Sequence, residues 1–216
     1  MVQGVLERAP AVRQFSTHLS EAPVWFRVTV PPVGAAQHTV IEFPSRHAQT
    51  LICWRNPDAP AIGRADRSAV RGAIRMSKAG FAIDLGQLVA PVTLLCEGTF
   101  SGPAHLTLVA WPASELNVSE REFHRSNGLL EGGLLTLSAF VLVTAIINKE
   151  WLYVLFAAWL IGNLRLAANS LGADTQWLER AIPTDLDALV RKATFAIYYV
   201  LTYSLFTQLF KRELRR

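Results

Sequence analysis

The sequence predicts a mixed fold: an all-β sandwich or jelly roll at the N-terminus, followed by an α-helical transmembrane bundle of three helices. Three apolar runs lie between Leu129 and Phe210, and about 20 helical residues cross a bilayer core of ~30 Å. The composition also changes along the chain. Residues 1–128 hold most of the prolines and scattered charges, whereas 129–216 are dominated by Leu, Ala and aromatic residues. Short alternating segments before residue 113 complete the pattern and favour β structure.

Alternation and punctuation by Pro and Gly predict a β domain over residues 1–112. In VWFRVTV (24–30), Val24, Phe26 and Val28 fall on one face of a strand, because side chains alternate with a period of two. The interval 56–72 carries two prolines and mixed charge, and it is predicted to be a loop or an edge excursion. Further strands are predicted at 39–45, 49–55, 73–77, 80–86, 91–100 and 104–112.

A polar segment, 113–128, is predicted to be a helical connector that joins the β domain rigidly to the membrane region at 129–216. Ser114 is a candidate cap, and carboxylates follow it, as helix N-termini prefer. Membrane helices are predicted at about 129–147, 151–171 and 193–210, with a tight hairpin at Asn148–Glu150 between the first two. The third helix follows a polar, amphipathic interval and a start signal at Pro183.

The charges at the C-terminus favour one orientation in the membrane. KRELRR (211–216) places four cations directly after an apolar helix, as at a cytoplasmic membrane edge. With this cluster included, the two sets of predicted helix ends carry equal numbers of cations, so the density of the cluster and the short hairpin decide the orientation. We therefore expect a multi-pass protein of the bacterial inner membrane, with a periplasmic β domain and a cytoplasmic C-terminus.

Common catalytic and metal-binding motifs are missing from the sequence. It contains no phosphate-binding Gly-rich loop, no Walker lysine, no nucleophile elbow and no HExxH motif, and its five histidines are scattered. Aromatic residues do not alternate with the basic cluster, which argues against nucleic-acid binding. We therefore expect no catalytic residues, metal or cofactor. The expected partners are the lipid bilayer, a small-molecule or carbohydrate ligand, and a second copy or a signalling protein.

Two groups of residues are candidates for function. Trp25, Trp54 and Trp111 lie in predicted strands, where exposed aromatic rings could stack on a sugar; the alternative is burial in the core. Polar residues in the membrane segment are the second group, because an ionisable side chain inside a bilayer is costly and seeks a partner. Their alternative is snorkelling or structural pairing, with Glu131 as a partner for Arg165. The members of this group are Glu131, Asn163, Arg165 and Asn169.

The mid-helix arginine makes the second helix the most expensive of the three to insert. Arg165 costs roughly 2.5–3.5 kcal/mol on insertion scales, whereas each Leu, Ile, Phe or Val returns ~0.3–0.6 kcal/mol. The apolar residues of 151–171 offset that cost, so the segment is predicted to insert. The two cysteines, Cys53 and Cys96, either form a disulfide or remain as small buried thiols, and the sequence leaves both alternatives open.

The order of these segments resembles the bacterial seven-transmembrane receptors with diverse intracellular signalling modules (7TMR-DISM). The resemblance covers roughly 15–216. It rests on VWFRVTV, HTVIEFPSRHAQTLICW and PVTLLCEGTFSGPAHLTLVAW, then on a first helix with Gly132-Gly133 and on the segment EWLYVLFAAWLIGNLRLAANSLG. The sequence departs from the family in showing three helices instead of seven, no output domain and no signal peptide in MVQGVLERAPAVRQF.

The resemblance implies a periplasmic jelly-roll sensor domain, similar to carbohydrate-binding folds, that relays a signal through membrane helices. The predicted function is therefore that of a membrane-bound sensor or receptor module in bacterial signal transduction. The alternative is the N-terminal sensory part of a membrane diguanylate cyclase (GGDEF) or histidine kinase. A membrane-anchored structural β domain without a ligand is a third interpretation.

Overall fold

The computed structural model describes residues 15–18, 20, 22–33, 37–56, 59–101, 104–171 and 184–211, and of 170, 171 and 184–188 it describes the backbone. The chain divides into two compact units, Met1–Phe123 and His124–Arg216. The first unit is rich in β-strands and the second is helical, which confirms the predicted order of β structure followed by helices.

Eleven strands lie in the described part of the first unit, and all of their pairings are antiparallel. They are β1 (Phe15–Ser16), β2 (Val24–Val30), β3 (His38–Phe43), β4 (Ala48–Trp54), β5 (Gly63–Asp66), β6 (Val70–Gly72), β7 (Ile74–Ser77), β8 (Gly80–Gln87), β9 (Val92–Phe100), β10 (His105–Leu106) and β11 (Val109–Pro112).

These strands form two larger sheets that share one core. The five-stranded sheet has the order β2-β9-β4-β5-β6, the four-stranded sheet has the order β11-β3-β8-β7, and β1 pairs with β10 separately. Each sheet combines consecutive strands, such as β4, β5 and β6, with strands that are distant in sequence, because the chain changes sheets between β2 and β3, β3 and β4, β6 and β7, and β8 and β9. Each sheet therefore depends on long-range pairings.

The core contains the inward-facing residues that the alternation predicts. Phe81, Ile83 and Leu85 of β8 are buried, and they meet buried residues of both sheets in one cluster. On β2, Phe26 and Val28 pack against the same cluster, while the alternate residues face outward. A period of two thus separates core from surface, as expected for half-buried strands.

The interval 56–72, predicted to be a loop or an edge excursion, contains the strands β5 and β6, and β6 forms the edge of the five-stranded sheet. The inward residues of β5 are Gly63 and Ala65, so the strand lacks the large apolar residues that make alternation visible. Gly63 has to be small, since a Cβ there would lie 2.8 Å from the backbone nitrogen of Ile74. The predicted strand 104–112 is likewise two strands, because β10 pairs with β1 and β11 pairs with β3.

The predicted connector and first membrane helix are a single helix, α1 (Ala113–Asn148). The helix begins directly after β11 and carries Glu115 in its first turn. Leu116 is fully buried against Val40 and Ala82, on the face of the four-stranded sheet that points away from the core. The glycines at 128, 132 and 133 do not interrupt the helix. Polarity therefore changes along α1 while the backbone continues.

Two further helices follow in the second unit, α2 (Trp151–Leu171) and α3 (Thr184–Leu209). Lys149, at φ +53°, lies in the predicted hairpin between α1 and α2. Val141 of α1 packs with Ala157 and Leu160 of α2 in a buried cluster. Within the described residues the structure has three helices, as predicted, and α3 starts earlier than expected; residues 172–183 of the polar interval lie outside the described residues.

Two of the described helices are long and apolar enough to cross a membrane, judged by length and composition. They are α1, with a mean hydropathy of 2.0 in its most apolar window, and Trp151–Asn169 of α2, with 1.5. Only 17% of the α1 window and 28% of the α2 window are buried. The helix α3 is not one of the two. Its predicted crossing stays a prediction.

Candidate functional site

The site with the most distinctive chemistry is a pair of tryptophans on the outer face of the five-stranded sheet. The rings of Trp25 and Trp54 are stacked, with centroids 5.5 Å apart and planes 16° from parallel. Trp25 lies on β2 and Trp54 on β4, with β9 between them. Both rings are partly buried and lie outside the apolar core. We call the outer face of the five-stranded sheet, on which Trp25 and Trp54 lie, the tryptophan face.

The register of the sheet defines the neighbours of the two rings. Trp25 is paired with Glu97, and Trp54 is paired with Leu95, so both residues of β9 lie between the tryptophans. Hydroxyl pairs lie at the two ends of the face. Thr29 and Thr93 are 3.0 Å apart through their Oγ1 atoms, and Thr50 and Thr99 are 2.6 Å apart. The face thus combines an aromatic surface with hydroxyl groups, a combination suited to sugars, which present both C–H faces and hydroxyls.

A disulfide supports the tryptophan face from the core side. Cys53 and Cys96 are paired directly in the register of β4 and β9, and they form a disulfide with 4.2 Å between their Cα atoms. Both residues are fully buried. The disulfide therefore joins the strand that carries Trp54 to the strand that lies between the two rings. The structure thus selects the disulfide from the two alternatives that the sequence left open.

Arginines lie on the same face as the rings. Arg64 is in the row of Trp25, Glu97 and Ile52, and Arg27 is in the row of Leu95 and Trp54. Both arginines are exposed. Neither arginine is a candidate from the sequence alone, because the neighbours of an arginine on a strand are known only from the register.

Asp66 is the carboxylate at the β5 end of this face. Partial burial raises the pKa of Asp66. Hydrogen bonds from Ser68 and Ala69 and the charge of Arg71 lower it, and together they outweigh burial, so the pKa lies below its usual value. Its Oδ1 accepts from the Ser68 amide at 2.7 Å and from the Ser68 hydroxyl at 2.6 Å. The Asp66 carboxylate therefore accepts its hydrogen bonds from the turn that directly follows it.

Trp111, the third predicted tryptophan, is not part of this face. It lies on β11 in the four-stranded sheet, where its Nε1 donates to the Oε2 of Glu42 at 2.8 Å. Lys78 lies 5.3 Å from the centroid of its ring, and the Lys78 ammonium is 2.9 Å from the Oε1 of Glu42. Glu42 is only 2% exposed. A buried charge of this kind needs a paired cation, and Lys78 supplies it.

The Glu42 cluster lies beside the first turns of α1. Trp111 packs with Leu116 and Val40, and Arg75 of β7 binds Glu120 of α1 through Nη1 and Oε1 at 2.6 Å. The start of α1 is thus attached to the four-stranded sheet by one buried apolar contact and one ion pair. Lys78 reaches Glu42 from the β7–β8 turn, where its φ is +49°. The arrangement fixes the helix on the sheet.

The polar residues of the helical unit make contacts between α2 and α3. Asn163 accepts a hydrogen bond from the Tyr198 hydroxyl at 3.2 Å, and its amide donates to the Trp159 carbonyl at 2.9 Å. One turn away, Trp159 Nε1 donates to the Thr202 hydroxyl at 3.1 Å. Polar groups on two apolar helices are therefore matched with each other, as expected where water is scarce.

The other three intramembrane candidates are not gathered around Asn163. Glu131 is partly buried and forms no ion pair with Arg165 within the described helices. Arg165 is partly buried and has interactions of its own. Asn169 is 8% exposed, and neither polar atom of its amide has a hydrogen-bond partner among the described residues. The predicted set therefore divides into Asn163, which bridges two helices, and three residues at separate places.

Comparisons with known proteins add no relative: no family model, no curated protein and no solved structure matches the chain. Over the described residues, no group of three or more His, Cys, Asp or Glu is placed to hold a metal ion. The tryptophan face is therefore a candidate site because of the contacts within this chain alone.

Proposed function

We propose that this protein is a membrane-anchored sensor module in which the β domain binds a ligand and α1 relays the binding to the membrane helices. The observation that carries this proposal is the continuity of α1. Its first turns are packed on the four-stranded sheet through Leu116, and the same helix continues as a long apolar segment. A change in the packing of those first turns therefore acts directly on the membrane segment.

Exposure of the apolar helices supports membrane insertion. A core helix in a water-soluble protein is mostly buried, whereas the apolar window of α1 is only 17% buried. Leu130, Phe140 and Ile146 are 64%, 68% and 76% exposed, a degree of apolar exposure that lipid, but not water, accommodates. The 7TMR-DISM resemblance and the basic tail favour a bacterial inner membrane, with the β domain outside and the C-terminus in the cytoplasm.

The disulfide supports the location of the β domain on the outer side. Disulfides persist in oxidising compartments such as the periplasm and are rare in the cytosol. Cys53 and Cys96 form a buried disulfide inside the sheet that carries the tryptophan face. The nested pairings of β2 with β9 and of β3 with β8 also favour the jelly-roll assignment that the sequence predicts.

The tryptophan face supports a carbohydrate as the ligand class. Trp25 and Trp54 offer flat apolar surface, and Glu97 and the threonine pairs offer hydrogen-bonding groups around it. Ligand binding shifts the conformation of a protein only as far as the ligand prefers one state to the other. The sugar therefore has to bind more tightly to one packing of α1 on the sheet.

The test uses the full chain in lipid nanodiscs and a panel of oligosaccharides, with binding measured by titration calorimetry. We expect a saccharide that binds and whose affinity falls at least about fivefold in the Trp25→Ala/Trp54→Ala double variant, since each aromatic contact contributes ~0.5–1.5 kcal/mol. The matched control is Phe15→Ala, which removes an exposed aromatic side chain on β1, away from both the tryptophan face and the packing of α1, and should leave the affinity unchanged. Absence of binding across the panel, or equal loss in the control, would contradict the proposal.

A further inference from the structure

Two exposed arginines on the tryptophan face have no partner. Arg27 and Arg64 form no hydrogen bond or ion pair in the part of the chain that the structure describes. A third arginine, Arg71, is paired with Arg64 in the register of β5 and β6, and its charge acts on Asp66. The face therefore presents three cations in the rows that contain the two tryptophans.

The carboxylates of the face do not neutralise Arg27 and Arg64. Asp66 accepts three hydrogen bonds from Ser68 and Ala69 in its own turn. Glu97 is partly buried on β9, between Trp25 and Ile52, and forms no ion pair with a described residue. The two arginines remain available to an anion from outside.

We propose that the ligand of the tryptophan face is an acidic oligosaccharide with carboxylate groups on its sugars, an inference that rests on the proposed carbohydrate-binding function. The guanidinium group of arginine matches the two oxygens of a carboxylate with two parallel N–H groups. A sugar ring stacked on Trp54 would place its carboxylate beside Arg27, which is in the same row, or towards Arg64, which is on the next strand.

The spacing of the cations indicates an oligosaccharide instead of a single sugar. Arg27 is on β2 and Arg64 is on β5, three strands away in the order β2-β9-β4-β5. With neighbouring strands ~4.8 Å apart, the two positions are separated by about 14 Å across the sheet, and β4, which carries Trp54, lies between them. One sugar ring is too short to reach both, whereas a short chain that crosses the strands reaches both.

The experiment compares oligogalacturonate with its methyl ester, which has the same backbone and no charge, on the full chain in neutral lipid nanodiscs. The proteins are the wild type, Arg27→Gln/Arg64→Gln and Trp25→Ala/Trp54→Ala, with Arg46→Gln as a control for the loss of a cation outside this sheet. We expect the wild type to bind the acid at least tenfold more tightly than the ester. The arginine variant should remove this preference, and the tryptophan variant should weaken both ligands.

The outcomes separate this inference from the proposed function. Equal binding of acid and ester by the wild type would overturn the acidic ligand and leave carbohydrate binding in place. Acid binding that survives the loss of both tryptophans would identify general attraction of a polyanion, and it would also overturn the inference. Failure of every charged and neutral saccharide to bind would contradict the proposed function itself.

Discussion

Cys53 and Cys96 form a disulfide on the core side of the five-stranded sheet. Cys53 lies on β4, which carries Trp54, and Cys96 lies on β9, which separates Trp54 from Trp25. The covalent bond and the stacked rings thus lie on opposite faces of the same sheet. Because Cys53 directly precedes Trp54, the disulfide holds the backbone that presents the ring. The strand that carries Trp54 is therefore covalently joined to the strand that lies between the two rings.

Removal of the disulfide should destabilise the β domain. The two cysteines are 43 residues apart in sequence, and a loop of that length corresponds to about 4 kcal/mol in the loop-entropy model, with 2–4 kcal/mol typical. We expect Cys53→Ala/Cys96→Ala to lower the unfolding temperature by at least about 10 °C, as measured by near-UV circular dichroism on heating. The wild type in reducing buffer should approach the variant, and an unchanged melting temperature in both would contradict the prediction.

Loss of Lys78 should cost more than loss of the whole ion pair. In Lys78→Met, the carboxylate of Glu42 stays buried without its cation, which costs about 3–5 kcal/mol. Glu42→Gln/Lys78→Met removes both charges, and the amide can still accept from Trp111, so we expect a smaller loss. Chemical denaturation of the four proteins of this cycle measures the coupling. Additive effects of the two single changes would show that the pair does not interact.

The attachment of α1 to the sheet should depend on Leu116. This side chain is fully buried against Val40 and Ala82, so Leu116→Ala should lower stability by about 2–5 kcal/mol. Val118→Ala is the matched control, because Val118 lies in the same helix segment and is 51% exposed. Hydrogen exchange should increase in the first turns of α1 for Leu116→Ala only. Equal effects of the two changes would contradict the packing of α1 on the sheet.

The contacts between α2 and α3 should respond to removal of their polar groups. Tyr198→Phe and Thr202→Val each remove one interhelical hydrogen bond, which in membrane proteins averages ~0.6 kcal/mol. Thr144→Val is the control, since the Thr144 hydroxyl bonds to Phe140 within its own helix. Unfolding in mixed detergent micelles should show a loss for the first two variants and no loss for the third. An equal loss of stability in Thr144→Val would show that the effect arises within single helices, and it would contradict the prediction.

Acid should loosen the turn after β5. Folding lowers the pKa of Asp66, so its contribution to stability is present above the usual carboxyl pKa and is lost as the pH falls through the lowered value. We expect the wild type to lose stability relative to Asp66→Asn as the pH falls from about 5 to about 3. Thermal melts across this range compare the two proteins, and parallel pH profiles would contradict the assignment.

The sequence was sufficient for elements whose inward residues are large. Alternation locates β2 and β8, and the apolar runs locate the helices of the second unit. The same alternation failed at β5, where Gly63 and Ala65 face inward, and it could not separate β10 from β11, which differ only in their partners. Local patterns predict which side chains of a strand face inward and are buried. Which strands become neighbours depends on long-range packing.

In the candidate site, too, local patterns predict the strands, whereas long-range pairing decides which residues meet. Alternation places Trp25, Trp54 and Trp111 on strands, and it gives no indication of which of them meet. The pairing of Trp25 with Trp54 follows from the insertion of β9 between β2 and β4, and Trp111 is excluded because β11 belongs to the other sheet. The arginines beside the rings became candidates only through the register, since charged residues on exposed strand positions are common.

The central claim is that the β domain and the end of α3 lie on opposite sides of a membrane, and labelling with a membrane-impermeant maleimide tests it most directly. Val89→Cys adds a thiol at a position that is 96% exposed in the β domain, and Lys211→Cys adds one after α3, while both native cysteines are in the disulfide. In intact bacterial spheroplasts we expect labelling of Val89→Cys and labelling of Lys211→Cys only after lysis. Labelling of both thiols before lysis, or of neither, would contradict the account.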